Sequence, residues 1–186
     1  GTCVNDCEYQ GEWHNGLMHG RGSLRWADGT VYTGDVKHAH LIGEGSYYYP
    51  SGVEYHGQVE YGERHGSGLM VVPRPRFARY MGGWKHGKRH GHGVLRLDEE
   101  DESYYDGQWR DDRRHGYGVM VYASGNRYEG EWRHDLRHGQ GCMHWLDLSE
   151  MYEGQWYQGV QHGVGEHVWY PSNSSSSANP PPGKSK

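Results

Sequence analysis

Apolar residues and glycines alternate with polar ones in short stretches along this chain. In Tyr128-Glu129-Gly130-Glu131-Trp132 the Tyr, Gly and Trp fall on every second position, the period of a strand with one buried face. Five residues later His138-Gly139-Gln140-Gly141 opens a second run. In the first copy of this frame, Tyr9, Gly11 and Trp13 predict one strand, and Gly20, Gly22, Leu24 and Trp26 predict the next. Asn15-Gly16 lies between them and is a hairpin-turn signal. Each unit therefore predicts one antiparallel hairpin.

The frame recurs along nearly the whole chain. Its Tyr stands at 9, 32, 55, 80, 105, 128 and 152, in steps of 23, 23, 25, 25, 23 and 24 residues. So regular a period marks a repeat architecture. The expected division is a leader segment 1–8, repeats at 9–31, 32–54, 55–79, 80–104, 105–127, 128–151 and 152–170, and a Ser/Pro-rich tail 171–186 without periodicity. The glycines leave bare backbone on which Tyr and Trp rings can lie, so a larger residue there should collide with them.

Two repeats depart from the frame. Val36 and Val59 stand where the others have Trp, and Ile42-Gly43 stands where the others have His-Gly. Two connecting segments are longer than the rest. One is basic, Pro73-Arg74-Pro75-Arg76-Phe77-Ala78-Arg79, and one acidic, Asp98-Glu99-Glu100-Asp101-Glu102. Both fall between a second strand and the next first strand. They are expected on one edge, ~10 Å apart at two strand spacings.

Composition changes the picture in one respect. The chain has 16 Tyr and 8 Trp but one Phe and a single Ile, so Tyr and Trp must do most of the burying, as suits a thin structure. A net charge of −5 argues against a general nucleic-acid binder. No apolar run approaches the ~18–20 residues of a membrane span. Three cysteines, Cys3, Cys7 and Cys142, without an apolar leader suggest free thiols in a reducing compartment.

Y-x-G-x-W/V followed by H-G-x-G at this period resembles the MORN repeat (membrane occupation and recognition nexus), from Tyr9 to Tyr170. The resemblance implies an all-β fold: an elongated single-layer antiparallel sheet of seven tandem hairpin repeats of 23–25 residues, roughly 65–70 Å long for fourteen strands. It also implies a scaffold or adaptor without catalytic activity, as in ciliary and flagellar radial spoke heads and other cytoskeletal assemblies. Partner segments would lie in an aromatic-lined groove, and chain ends would pair end to end, between like or unlike chains. A cytoplasmic, cytoskeletal location, in a cilium or flagellum axoneme, follows from the same analogy. Phospholipid binding proposed for some members implies an alternative, a peripheral membrane or phosphoinositide-binding adaptor. A further alternative is the targeting region of a larger enzyme.

The residues themselves offer little chemistry. Gly82 to Arg89 approaches a phosphate-binding loop but has Arg89 where a metal-ligating hydroxyl is needed, and no helix follows. The His at the H-G-x-G position (His19, His65, His90, His115, His138, His162) repeat at ~10 Å, too far apart to share a metal. The sets His38/His40 and His86/His90/His92 could hold a metal only weakly, so no metal and no cofactor is expected. The His row should instead weaken the sheet at mildly acid pH. The expected partner-binding groove comprises Tyr32, Val36, Tyr55, Val59, Trp84, Tyr105, Trp109, Tyr128, Trp132 and Trp156, with Trp13, Trp26, Trp145 and Trp169 beside it. Val36 and Val59 should open a pocket for a large apolar side chain of a protein partner, and Trp at both should weaken binding without unfolding. Arg74, Arg76, Arg79, Asp98, Glu99, Glu100, Asp101 and Glu102 make a candidate charged docking edge. Lipid is the lesser expectation, because anionic membranes favour clustered cations.

Overall fold

A computed structural model of the protein describes residues 7–100 and 102–170. These residues form one open sheet of 14 antiparallel strands in chain order, each hydrogen-bonded to the strand before and the strand after it. The strands pair as seven hairpins. Hairpins 1 to 3 are β1 (Cys7–His14) with β2 (Leu17–Trp26), β3 (Val31–Lys37) with β4 (His40–Tyr48), and β5 (Glu54–Glu60) with β6 (Glu63–Val72). Hairpins 4 and 5 are β7 (Ala78–Lys85) with β8 (Lys88–Arg96) and β9 (Tyr104–Arg110) with β10 (Arg113–Val121). Hairpins 6 and 7 are β11 (Arg127–Arg133) with β12 (Leu136–Trp145) and β13 (Glu150–Tyr157) with β14 (Val160–Trp169). The first strand begins two residues inside the expected leader, with Cys7 paired to Trp26 and Glu8 to Arg25. The expected tail lies outside the described residues.

All seven tight turns have both central residues at positive φ, from Asn15 (49°) and Gly16 (74°) to Gln158 (49°) and Gly159 (88°). That is the turn whose twist matches the strands it joins. The sequence signals it plainly only at Asn15-Gly16. Elsewhere His38-Ala39, Asp111-Asp112 and His134-Asp135 adopt it without glycine. Ala39 is the least suited of these, since an L-residue with a Cβ pays ~1–2 kcal/mol in the left-handed region. Ala39→Gly should therefore stabilise the protein by roughly 0.5–1 kcal/mol, after allowing for glycine's greater freedom in the unfolded chain. A shift of the denaturant midpoint at constant slope would register it.

The framework glycines pair across every strand boundary, from Gly11↔Gly22 and Gly22↔Gly34 to Gly141↔Gly154 and Gly154↔Gly165. The result is a continuous file of bare backbone across the sheet. Each repeat's Tyr ring lies over its own two glycines of that file, as at Gly141, where an added Cβ would stand 2.3 Å from the hydroxyl of Tyr128.

The His-Gly pair is a bulge, not regular strand. Between Gly130↔Gly141 and Trp132↔Arg137 the first strand advances two residues and the second advances four. The bulge glycine takes positive φ, 59° at Gly139, which explains a glycine there. The residue facing the bulge is used twice. Its carbonyl accepts the phenol proton, as Glu131 does from Tyr128 at 3.0 Å. Its side chain accepts the backbone N–H after the bulge glycine, as Glu131 does from Gln140 at 2.9 Å. Repeat 4 has Gly83 at this position and keeps only the first bond, from Tyr80 at 2.9 Å.

The core lies on the face that carries the Tyr residues, called the Tyr face below. Tyr and Trp rings alternate edge to face along it. Trp84 meets Tyr55 at 5.4 Å and Tyr80 at 5.2 Å between centroids, and the pattern runs on to Trp156 between Tyr128 and Tyr152. Such contacts contribute ~0.5–1.5 kcal/mol each beyond area burial. Each indole N–H donates to a glycine carbonyl of the preceding repeat, as Trp132 does to Gly118 at 3.1 Å.

Candidate functional site

The ten residues expected to line a partner groove are the core. Tyr32, Val36, Tyr55, Val59, Trp84, Tyr105, Trp109, Tyr128, Trp132 and Trp156 are all 4 % exposed or less. A single sheet buries them because each Trp is enclosed by the Tyr rings of two repeats and covered by an arginine. The Arg64 guanidinium lies 4.6 Å from the Trp84 ring centre. Arg89, Arg114 and Arg137 lie 4.2, 4.3 and 4.3 Å from Trp109, Trp132 and Trp156. Each also reaches the turn of the next hairpin, donating to the carbonyls of Gly87, Asp112, Asp135 and Gly159.

Sequence reasoning missed these arginines, although a signal was present. The residue before the His-Gly pair is Arg where the next repeat has Trp. It is Met18 or Leu41 where the next repeat has Val36 or Val59. The pairing is legible only when successive repeats are aligned with an offset of one.

The pocket expected at Val36 and Val59 is filled. Leu24, Leu41 and Tyr47 are 2, 6 and 6 % exposed and belong to the same apolar cluster. Tyr47 packs on Tyr32 at 5.0 Å and donates to the Gly62 carbonyl at 2.7 Å, the turn bond that arginine makes in later repeats. Trp at both valines would overpack this cluster, so the expectation of an intact fold is withdrawn.

What the Tyr face leaves accessible is a row at the far ends of the second strands. Trp26, Tyr49, Tyr122 and Trp145 are half-buried against the core, while Leu97 and Trp169 are 42 and 65 % exposed. Trp13 is 60 % exposed.

The two charged loops engage each other. Arg74 grips Glu99 with a two-pronged contact, Nε to Oε1 at 2.8 Å. This pairing holds the Glu99 carboxyl below its usual range. Asp98 turns inward to accept the backbone N–H groups of Glu102 and Ser103. Arg76 and Glu100 are exposed, and Arg79 is half-buried. Asp101 lies outside the described residues.

The repeated histidines sit on the opposite face at the turn end. Their rings pack on the next hairpin, as His65 does on His86 at 5.8 Å and His138 on Tyr157 at 5.4 Å. Burial pushes the His115 pKa below its ordinary 6.5, with help from Arg110, His134 and Arg133. Burial and then Arg127 do the same for His144, partly offset by Glu129 and Glu153. The unfolded chain then takes up protons first as pH falls, so this contribution to stability is complete above about 6.5 and lost below it. The melting temperature should fall between about pH 7.5 and 5.5, and His115→Asn with His144→Asn should flatten that fall. A melting curve of the double variant that stays as steep would refute the assignment.

Among the described residues no group of three or more His, Cys, Asp or Glu side chains is placed to hold a metal ion. The stretch resembling a phosphate loop runs through β7, its turn and β8. Burial, with Glu153 and Glu129 nearby, pushes the Cys142 thiol up to about 11, so it stays protonated and unreactive at neutral pH. Cys7 is disulfide-bonded, where a free thiol is expected from the sequence, and Cys142 is free. Cys3 lies outside the described residues. No helix among the described residues is long and apolar enough to cross a membrane.

A family model for the MORN repeat matches residues 9–31, 55–71, 80–98, 105–127, 128–148 and 152–174. Hairpin 2, which carries Val36 and Ile42, falls between the matched segments. Alsin of Rattus norvegicus is 46 % identical over 37 residues, 20 % of this chain and 2 % of that protein. The match thus spans a small fraction of the relative's length.

Proposed function

This chain belongs to the MORN-repeat family, and from that premise we propose that it is a non-catalytic scaffold that holds a segment of a partner protein across its Tyr face. The observation that carries this is the accessible row from Trp26 to Trp169, an apolar or aromatic residue in six of the seven repeats, four of them packed against the core. A contiguous apolar strip on an otherwise polar sheet is a mark of an interaction site. Aromatic anchors also dominate the energetics of such contacts. A ciliary or other cytoskeletal setting and end-to-end association belong to the proposal on the strength of the family resemblance alone. A membrane adaptor would use the basic loop Arg74 to Arg79, and there Arg74 is paired with Glu99, so the protein-partner reading is preferred.

A photo-cross-linking amino acid at Tyr122 or Trp145, in protein purified from its native assembly, should give links to one defined protein segment. Leu97→Glu and Trp169→Glu, both at exposed positions, should release that partner at least tenfold while the melting temperature is unchanged. Cross-links to lipid alone, or affinity untouched by both substitutions, would overturn the reading.

A further inference from the structure

The opposite face carries a charge arrangement that the fold does not need. In hairpin 4 Lys85 stands directly opposite Lys88, and in hairpin 5 Arg110 stands directly opposite Arg113. Hairpin 6 places Arg133 opposite Leu136. All five cations are exposed, and none is in an ion pair among the described residues. Like charges facing each other across an antiparallel pair are destabilising. Hairpin 3 shows how the fold handles the reverse case. Its opposed Glu60 and Glu63 are each met by a histidine, His65 at 3.2 Å and His86 at 3.3 Å. Among the described residues the basic pairs have no ion pair of this kind, although Asp111 and Asp112 form the turn between Arg110 and Arg113.

The cations belong to one file. The repeated histidine sits beside the residue that follows the Trp, or the Val in its place, of its own repeat, as Glu60–His65 and Tyr157–His162 show. In hairpins 4 to 6 this interleaves Lys85, Arg110 and Arg133 with His90, His115 and His138. Between hairpins 5 and 6 the file opens into a cleft lined by Arg110, His115, Arg133 and His138, together with Glu131, whose carboxylate already accepts the Gln140 N–H. A second cleft, between hairpins 6 and 7, continues it past Arg133 and His138 to Leu136 and Tyr157. These last two are 46 and 49 % exposed. Within the first cleft the proton affinity of His115 is lowered by burial first and then by Arg110, His134 and Arg133.

We propose that this file docks an acidic segment of a partner protein, with carboxylates spaced about 10 Å apart and an apolar residue beyond them. The spacing follows from the sheet. Equivalent positions in successive hairpins are two strands apart, ~10 Å, which a chain in the polyproline II conformation covers in about three residues, one full turn, so that every third side chain faces the file. The apolar residue meets Leu136 and Tyr157. A flat anionic membrane fits less well, because the hairpin tips beyond the cations carry acids: Asp111, with its side chain 66 % exposed, and Asp112 and Asp135, about half exposed. Nucleic acid fits less well too, because the chain carries a net charge of −5 and a general nucleic-acid binder is basic. This surface is separate from the Tyr-face row and stands without it.

The probe is a fluorescein-labelled peptide with Glu at every third position in a Gly/Ser background and a Leu beyond the last Glu, followed by anisotropy with the full chain. The full chain should bind it, more weakly as salt rises, and should prefer it to a peptide with the same residues in a block. Lys85→Glu, Arg110→Glu and Arg133→Glu together should weaken binding at least tenfold. The same triple variant turns two like-charged pairs into opposite-charged ones, so its melting temperature should equal or exceed that of the parent. If reversal perturbs folding, Gln at the three positions serves instead, with the same loss expected. No peptide binding, equal binding of the blocked peptide, or binding unchanged in the variant would overturn the proposal. So would phosphatidylserine vesicles or single-stranded RNA binding through these residues in preference to the peptide.

Discussion

Replacing Gly118 by Ala is expected to destabilise the middle of the sheet by about 3–5 kcal/mol, a large share of the stability of an ordinary domain. An added Cβ would stand 2.4 Å from the hydroxyl oxygen of Tyr105 and 2.6 and 2.7 Å from two of its ring carbons. The ring has nowhere to go. It is 1 % exposed, it lies between Trp109 at 5.1 Å and Trp132 at 5.5 Å, and its hydroxyl donates to the Gln108 carbonyl at 3.0 Å. Overpacking of this kind costs ~1–3 kcal/mol, and losing the phenol's bond to a buried carbonyl adds ~1–3 kcal/mol. The proper control is Gly87→Ala. That residue has positive φ but nothing within 4 Å of the added methyl, so it should cost only the ~1–2 kcal/mol of left-handed backbone. Because each repeat touches only its neighbours, the damage should stay local. Hydrogen exchange should accelerate in hairpins 5 and 6 and remain slow in hairpins 1 to 3. Equal destabilisation by the two alanines would mean that the ring does not depend on bare backbone.

These residues also show how far the sequence could be read. The seven hairpins and their order follow from the Tyr and Gly period alone, because side-chain alternation and a fixed repeat length leave little freedom in a meander. The site was read less well. Trp84, Trp109, Trp132 and Trp156 looked like an exposed stripe because a one-layer sheet has no second layer to cover them. The cover is Arg64, Arg89, Arg114 and Arg137, which resemble ordinary surface cations when each repeat is considered by itself. The function of His-Gly was hidden for a similar reason. Alternation suggests regular strand, whereas the register places three residues opposite one, and bulges of that kind leave no mark in the hydrophobic pattern. Nor did the two loops declare their pairing. The two-pronged Arg74–Glu99 contact depends on loop backbone that periodicity does not reach.

Arg114→Ala should cost about 3 kcal/mol, and most of that loss should be in the coupling between hairpins 5 and 6. The guanidinium lies 4.3 Å from the Trp132 ring centre with its side chain 25 % exposed. It donates through Nε to the Asp135 carboxylate at 3.1 Å and through Nη2 to the Asp135 carbonyl at 3.0 Å. A shielded cation–π contact contributes ~1–2 kcal/mol, and hydrogen bonds to charged groups ~1.5–3 kcal/mol. Lysine should recover less than half, since it lacks the planar fork that covers a ring and bonds two oxygens at once. A double-mutant cycle with Trp132→Phe should return an interaction energy near 1 kcal/mol or more, as expected for residues in direct contact. Additive losses would mean that arginine and indole act independently. The matching of Arg with Trp one repeat ahead, and of Met18 or Leu41 with Val, would then be coincidence. If the coupling is found, the array is held together chiefly between repeats. Hairpins 2 and 3, with Leu41 and Val59 in place of that pair, then rely on Tyr47 for the same connection, and Tyr47→Phe should loosen hairpin 3 from hairpin 2 by removing its bond to the Gly62 carbonyl.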